Sequence, residues 1–253
     1  DWSSDVCSSD LKVDALTRNP IAGAEFQLYQ SDKVTPVGQP FTVGVDGYVS
    51  GPLDPGVYFV KETRAPTGYV ANDDWLEVTV AQNTVTPQTV ENQPMAILAV
   101  KKYGAWLTIP HYTGLAGVKF HVYTSETGGQ PVATLVSAVD ATGVPTYTLQ
   151  PNDQGEVSAI YLEEGAYYLE EDADTVPPGY KANTGRQAVT LTAGQPQPEE
   201  VLISNQSDWG RIRVIKREGK NGTPMGGVRF DIYRDAACTD FVETITTDRK
   251  SVV

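Results

Sequence analysis

The sequence predicts an all-β protein built of tandem domains, and three observations lead there. Val, Thr and Tyr are plentiful, helix-forming runs are scarce, and the 23 Gly and 17 Pro fall mostly between short apolar segments, which is how β-modules are punctuated. The apolar segments alternate with a period of two, the spacing that sends successive side chains to opposite faces of a strand. One alternating segment recurs three times, at 20–29, 114–123 and 224–233. The intervals between its equivalent Phe26, Phe120 and Phe230 are 94 and 110 residues. Those intervals are domain-sized, so the repeats mark beads and not turns of a solenoid.

Each repeat opens with a turn and becomes a strand. Its inward positions are Ala24, Phe26 and Leu28, then Val118, Phe120 and Val122, then Val228, Phe230 and Ile232; Glu25, Gln27, Lys119, His121, Arg229 and Asp231 face outward. A strand ending in lysine precedes each repeat: Leu98-x-Val100-x-Lys102, Ile212-x-Val214-x-Lys216, and in the first copy only Leu11 to Asp14, carrying Lys12. Lys12 to Phe26 and Lys216 to Phe230 are both 14 residues, whereas Lys102 to Phe120 is 18. The middle copy therefore carries an insertion around 106–111, and Lys101 is a rival to Lys102 there.

Further along, residues 56–69 read as a strand followed by a rigid turn, with Tyr58, Val60 and Glu62 on one face. The pattern returns at 165–171, where Tyr167, Leu169 and Glu171 share a face, and closes with Pro177-Pro-Gly-Tyr180. A glutamate that continues an apolar row is costly unless protonated or paired. Each complete copy ends in a strand with asparagine on its inward row, Asn92 and Asn205, followed by a polar linker. Domain one is thus expected at 12–93 and domain two at 94–208. A third, at 209–247, lacks the glutamate motif and the asparagine strand and is not expected to fold alone.

Both ends look artificial. Residues 1–11 and 248–253 resemble translated sequencing adapters and are set aside from fold reasoning. With them goes Cys7, leaving Cys238 alone, so no disulfide forms within the remainder. The net charge of −13 becomes −11, with 28 acidic against 17 basic side chains. No basic stripe exists to meet phosphates, which argues against nucleic-acid binding. The longest apolar run, 95–100, is far too short to span a membrane.

Residues 55–69 resemble the glutamate box of SpaA-type (Cna B-type, prealbumin-like) domains from Gram-positive surface proteins and pilins. That family's pattern, roughly Pro-Gly-x-Tyr-x-Val-x-Glu-Thr-x-Ala-Pro-x-Gly-Tyr, is matched almost throughout. The second copy keeps Gly-x-Tyr-x-Leu-x-Glu and Pro-x-Gly-Tyr, with Asp172 in place of Thr and two extra residues before the turn. The resemblance implies tandem prealbumin-like (Ig-like) β-sandwiches. It also implies that Lys12, Glu62 and Asn92, and likewise Lys102, Glu171 and Asn205, form Lys–Asn isopeptide bonds without an enzyme.

The chemistry is coherent. In an apolar core an amine favours its neutral, nucleophilic form and a carboxyl its protonated form, which can hydrogen-bond a carbonyl and shuttle protons as ammonia leaves. The fold supplies proximity. The residues by themselves also allow a plainer arrangement, in which lysine snorkels, glutamate pairs with it and asparagine caps a strand edge.

Nothing else points to chemistry. His111 and His121 are the only histidines, and His121 alternates outward. Asp172, Asp174, Asn152 and Asp153 match no calcium-loop spacing. There is no phosphate loop and no zinc spacing, so neither metal nor cofactor is expected, nor any enzyme activity beyond a single self-directed turnover. The resemblance implies a stalk segment of an adhesin or pilin at the extracellular cell wall, attached by sortase, with other pilin subunits or host extracellular matrix as partners. Two rivals remain: a module binding host matrix or glycans, for which the 106–111 insertion is the candidate surface, and a spacer of a secreted enzyme.

Overall fold

Alternating segments fold as strands throughout, and the only helix among the described residues is a single 3-10 turn at Ala173–Thr175. The computed structural model describes residues 11–247 apart from 49, 83, 85, 106–111, 209, 211, 213 and 221. The insertion at 106–111 and both chain ends, 1–10 and 248–253, lie outside the described residues. Two units separate at the junction of residues 207 and 208.

The first unit begins with β1 (Leu11–Asp14), β2 (Glu25–Tyr29), β3 (Pro36–Thr42), β4 (Gly56–Arg64), β5 (Trp75–Val80) and β6 (Thr89–Asn92). Four of these form an antiparallel sheet in the order β3-β2-β4-β5, while β1 and β6 pair in parallel opposite it. The inward row of β2 is buried as its alternation requires, with Ala24, Phe26 and Leu28 in the core. Gln27 departs from expectation: it is buried, not exposed. The β2–β3 ladder shifts register between Phe26 and Leu28, and the Gln27 amide donates to the carbonyls of Leu28 at 2.8 Å and Val37 at 3.2 Å. A bulge leaves backbone acceptors that an amide side chain satisfies.

The chain continues as β7 (Ala96–Ala105), β8 (Tyr112–Gly114), β9 (Lys119–Tyr123), β10 (Ala133–Val136), β11 (Ala138–Val139), β12 (Pro145–Thr146), β13 (Ala159–Leu162), β14 (Gly165–Glu171), β15 (Tyr180–Lys181), β16 (Arg186–Leu191) and β17 (Glu199–Ser207). One sheet runs β10-β9-β14-β16, the other β13-β7-β17-β15 with β8 attached to β7. Their facing rows make one core: Leu98 and Val100 from β7, Val201 and Ile203 from β17, Phe120 and Val122 from β9, and Leu169 from β14. Each such side chain taken from water contributes on the order of 1.5–3 kcal/mol. This is a β-sandwich, and the β2–β5 sheet with its β1–β6 partner repeats the plan.

The same turn follows the glutamate strand in both copies. Tyr69 N–H donates to the Pro66 carbonyl at 3.1 Å and Tyr180 N–H to that of Pro177 at 3.3 Å. The third turn residue has positive φ, +85° at Gly68 and +89° at Gly179. Only glycine holds that conformation without strain; in the second copy Pro178 at the first corner also presets the other dihedral, where the first copy has Thr67.

The second unit contains the hairpin β18 (Arg229–Tyr233) and β19 (Phe241–Thr246). Phe230 and Ile232 are only partly buried, and Ile212 and Ile215 are exposed. One edge of the pattern is nonetheless kept: Met225 N–H donates to the Lys216 carbonyl at 2.8 Å, as Ile21 does to Lys12 at 2.8 Å and Leu115 to Lys102 at 3.0 Å. Cys238 is exposed.

Candidate functional site

Strand alternation carries three polar residues of each sandwich into its core. Lys12, Glu62 and Asn92 are 1%, 7% and 2% exposed, and Lys102, Glu171 and Asn205 are 0%, 8% and 0% exposed. Lys12 lies on β1 and Asn92 ends β6; Lys102 lies on β7 and Asn205 on β17. In the parallel ladders Lys12 faces Val90 and Lys102 faces Ile203. In both copies the asparagine is two residues beyond the lysine's partner, which places the two side chains diagonally on one face of adjacent strands. From the opposite sheet comes the glutamate, and its register partner is the repeat phenylalanine each time, Phe26 for Glu62 and Phe120 for Glu171.

The contacts repeat as closely as the register. Lys12 Nζ lies 3.2 Å from Glu62 Oε1, and Lys102 Nζ 3.0 Å from Glu171 Oε1. The other carboxylate oxygen, Oε2, accepts from the asparagine amide, 2.9 Å from Asn92 Nδ2 and 2.7 Å from Asn205 Nδ2. Glutamate thus bridges amine and amide. The rival Lys101 points to the outer face, where its Nζ meets both carboxylate oxygens of Glu200 at 2.8 Å. Asp172 stays out of the core and caps the 3-10 turn, accepting from Asp174 N–H at 3.1 Å.

Burial pushes the Lys12 and Lys102 amines below their ordinary pKa, and the facing carboxylates offset this only in part. The sites are also incompletely satisfied. Among the described residues, the buried side-chain polar atoms without a hydrogen bond are Lys12 Nζ, Glu62 Oε1, Asn92 Oδ1, Glu171 Oε1 and Asn205 Oδ1. All five belong to these two trios. Folded cores rarely tolerate such atoms, and each asks for an explanation. An amine facing a carboxylate, beside a primary amide that the same carboxylate holds, can condense with loss of ammonia.

A fourth residue, not singled out in the sequence, completes each site. Asn72 backbone N–H donates to Glu62 Oε2 at 2.6 Å, and Asn183 backbone N–H to Glu171 Oε2 at 2.6 Å. The signal was present as a second repeated word, Gly68-Tyr-Val-Ala-Asn72 and Gly179-Tyr-Lys-Ala-Asn183. The tyrosine of that word also docks on the lysine strand. Tyr69 hydroxyl donates to Asp14 Oδ2 at 3.0 Å. The corresponding position in the second copy is Gly104, where a Cβ would lie 2.4 Å from the Tyr180 ring.

The chain is similar to several known proteins. Residues 10–94 match the family model described as SpaA, a prealbumin-like fold domain. The chain is 35% identical over 83 residues to the trypsin-resistant surface T6 protein of Streptococcus pyogenes serotype M6, covering 32% of this chain and 15% of that protein. Among solved structures, a streptococcal ancillary pilin aligns with 20% identity and a TM-score of 0.40, covering 81% of this chain and 63% of that one. The shaft pilin SpaA of Lactobacillus rhamnosus GG aligns with 15% identity and a TM-score of 0.41, covering 84% and 95%. The similarity to the SpaA family of prealbumin-like domains thus lies over residues 10–94.

Proposed function

We propose that this chain is a stalk segment of a Gram-positive cell-surface pilin or adhesin, with domains at 12–93 and 94–208 and the start of a third at 209–247. Each complete domain is locked by one self-formed isopeptide bond. One observation carries the reading: two buried trios with the same register offset hold every buried, unbonded polar side-chain atom among the described residues. A plain buried ion pair gives no reason for the asparagine to stand at the same diagonal in both copies.

Neutral Lys12 Nζ attacks the Asn92 side-chain carbonyl carbon, forming the C–N bond. The amide nitrogen then leaves as ammonia. Glu62 takes the proton from the amine at Oε1 and delivers one to the departing nitrogen held at Oε2, so it ends as it began. Lys102, Asn205 and Glu171 act alike. The product is a neutral secondary amide in place of a buried amine and a primary amide, which lowers the desolvation burden of the core. Each site turns over once on its own chain, and no external substrate, metal or cofactor is involved.

The test is the intact mass of the chain expressed in a cytosol. Loss of about 17 Da per bond, one ammonia for each amine attack, is expected at both sites. Glu62→Ala and Glu171→Ala each restore one ammonia. An unmodified mass in a folded sample sinks the reading. In this reading the protein lies at the extracellular cell wall and its partners are other pilin subunits.

Contact with host matrix is the second reading, favoured by one feature of the outer sheet face. Trp75 packs edge-on against Tyr29 at 5.1 Å and Phe59 at 6.4 Å between centroids, whereas the second copy has Arg186 stacked over Tyr123. Lys33 and Lys61 lie over the rings of that aromatic group, which leaves less bare ring for a ligand and keeps this reading second.

A further inference from the structure

We infer that the side chains of Asn72 and Asn183 are positioning residues for isopeptide formation, each tying the loop that holds the glutamate to the strand that carries the reacting asparagine. The inference rests on the proposed cross-linking and deepens it.

The geometry repeats at three points in two independent copies. The loop asparagine gives its backbone N–H to glutamate Oε2 at 2.6 Å in each. Its side-chain Nδ2 donates to the carbonyl of the residue just before the reacting asparagine, Glu91 at 3.4 Å and Ser204 at 3.1 Å. Two residues earlier in the same loop, the Val70 and Lys181 carbonyls accept from the reacting amides of Asn92 and Asn205. One short loop therefore grips the carboxylate, the reacting amide and the backbone beneath that amide. The word Gly-Tyr-x-Ala-Asn is common to both copies although the glutamate lies 10 residues upstream of the asparagine in one and 12 in the other. The spacing varies while the contacts stay.

The consequence is a division of labour between the carboxylate oxygens. Oε2 accepts two N–H donors, one from the loop backbone and one from the reacting amide. Oε1 has no hydrogen-bond donor and faces the amine. The clamp fixes which oxygen meets the attacking nitrogen, and orientation of this kind governs intramolecular rates steeply. The asparagine side chain touches neither reacting atom; it acts through the loop. Asn183 is exposed and Asn72 half-buried, so replacing either removes no core packing.

The experiment uses the full chain, recovered unreacted from inclusion bodies in denaturant and refolded by dilution. Ammonia loss at each site is followed against time by peptide mass mapping. Asn72→Ala and Asn183→Ala are expected to slow bond formation at their own site at least about tenfold and to leave the other site unchanged, as misplacement of reacting groups does. Two further variants separate positioning from packing. Asn183→Asp keeps the shape but has no N–H donor; Asn183→Gln changes the shape but keeps the amide donor. A positioning role ranks Gln above Asp in rate, whereas a packing role ranks Asp at or above Gln. Equal rates for wild type and the Ala variants, or the Asp-first order, overturn this inference while the cross-link itself stands. Absence of cross-linking in the wild type overturns the function reading instead.

Discussion

Lys102 and Asn205 stand diagonally on adjacent parallel strands, both fully buried, with the asparagine two residues beyond the lysine's register partner Ile203. Lys12 and Asn92 repeat that relation through Val90. Parallel pairing of the first and last strands of a sandwich is what permits it. The strands enter from the same end, so a bond between them closes nearly the whole domain.

That closure predicts resistance to proteolysis. A cross-link spanning a loop of about 80 residues lowers unfolded-state entropy by roughly 4–5 kcal/mol in the chain-entropy model. Proteases cleave the opened form, whose population follows stability when opening is fast. Trypsin digestion of the wild type and of an Asn92→Ala/Asn205→Ala variant should differ at least about tenfold in half-life. Equal half-lives would contradict a closed loop.

Removing one charge should cost more than removing the bond. Glu171→Ala leaves the Lys102 amine buried and fully enclosed, with the Ile203 carbonyl at 3.4 Å but no carboxylate to balance its charge. Breaking such a pair by deleting one member destabilises by about 3–5 kcal/mol. Denaturant unfolding should show Glu171→Ala less stable than Asn205→Ala, although neither variant forms the bond. Equal midpoints would mean that the amine escapes to water.

The uncross-linked chain should carry a pH dependence of stability that the cross-linked chain lacks. In the uncross-linked Asn92→Ala/Asn205→Ala chain, Lys12 and Lys102 have folded-state pKa values below the ordinary 10.5. The unfolded state then binds more protons between the lowered value and 10.5, so stability rises with pH through that window and the penalty is complete below it. In the cross-linked chain both amines have become amides and this contribution is absent. Unfolding midpoints from neutral to mildly alkaline pH should climb in the variant relative to wild type. Parallel curves would argue that the lysines are free to titrate in both states.

A close approach decides another substitution. Gly104 has no room for a methyl group, since its Cβ would sit 2.4 Å from the Tyr180 ring. Gly104→Ala should displace Tyr180 and lower stability by about 1–3 kcal/mol, the usual cost of overpacking. Pairing it with Tyr180→Ala should recover part of the loss, as expected for residues in direct contact. An unchanged midpoint for Gly104→Ala alone would show that the ring moves freely.

Much of this was legible in the residues. Period-two alternation marked the strands around Phe26, Phe120 and Phe230, because a sheet with one buried face admits one register only. The same alternation put Lys12, Glu62, Asn92, Lys102, Glu171 and Asn205 on inward rows, where polar groups demand partners. Parity pointed to Lys102 but the longer spacing left Lys101 as a rival, and the fold placed Lys102 inward and Lys101 against Glu200. Three things were decided only in three dimensions. Gln27 was buried because the β2–β3 ladder shifts register beside it and offers carbonyls to its amide, and such a shift depends on how two strands meet. Asn72 and Asn183 close a repeated word, but that word does not show that they enter the sites through backbone N–H groups, which every residue but proline carries. The two-residue diagonal between lysine and asparagine arose from the parallel pairing of strands about 80 and 100 residues apart, a register set by tertiary packing and not by local sequence. Composition and period determined which side chains must be buried; only the folded chain decided which of them meet.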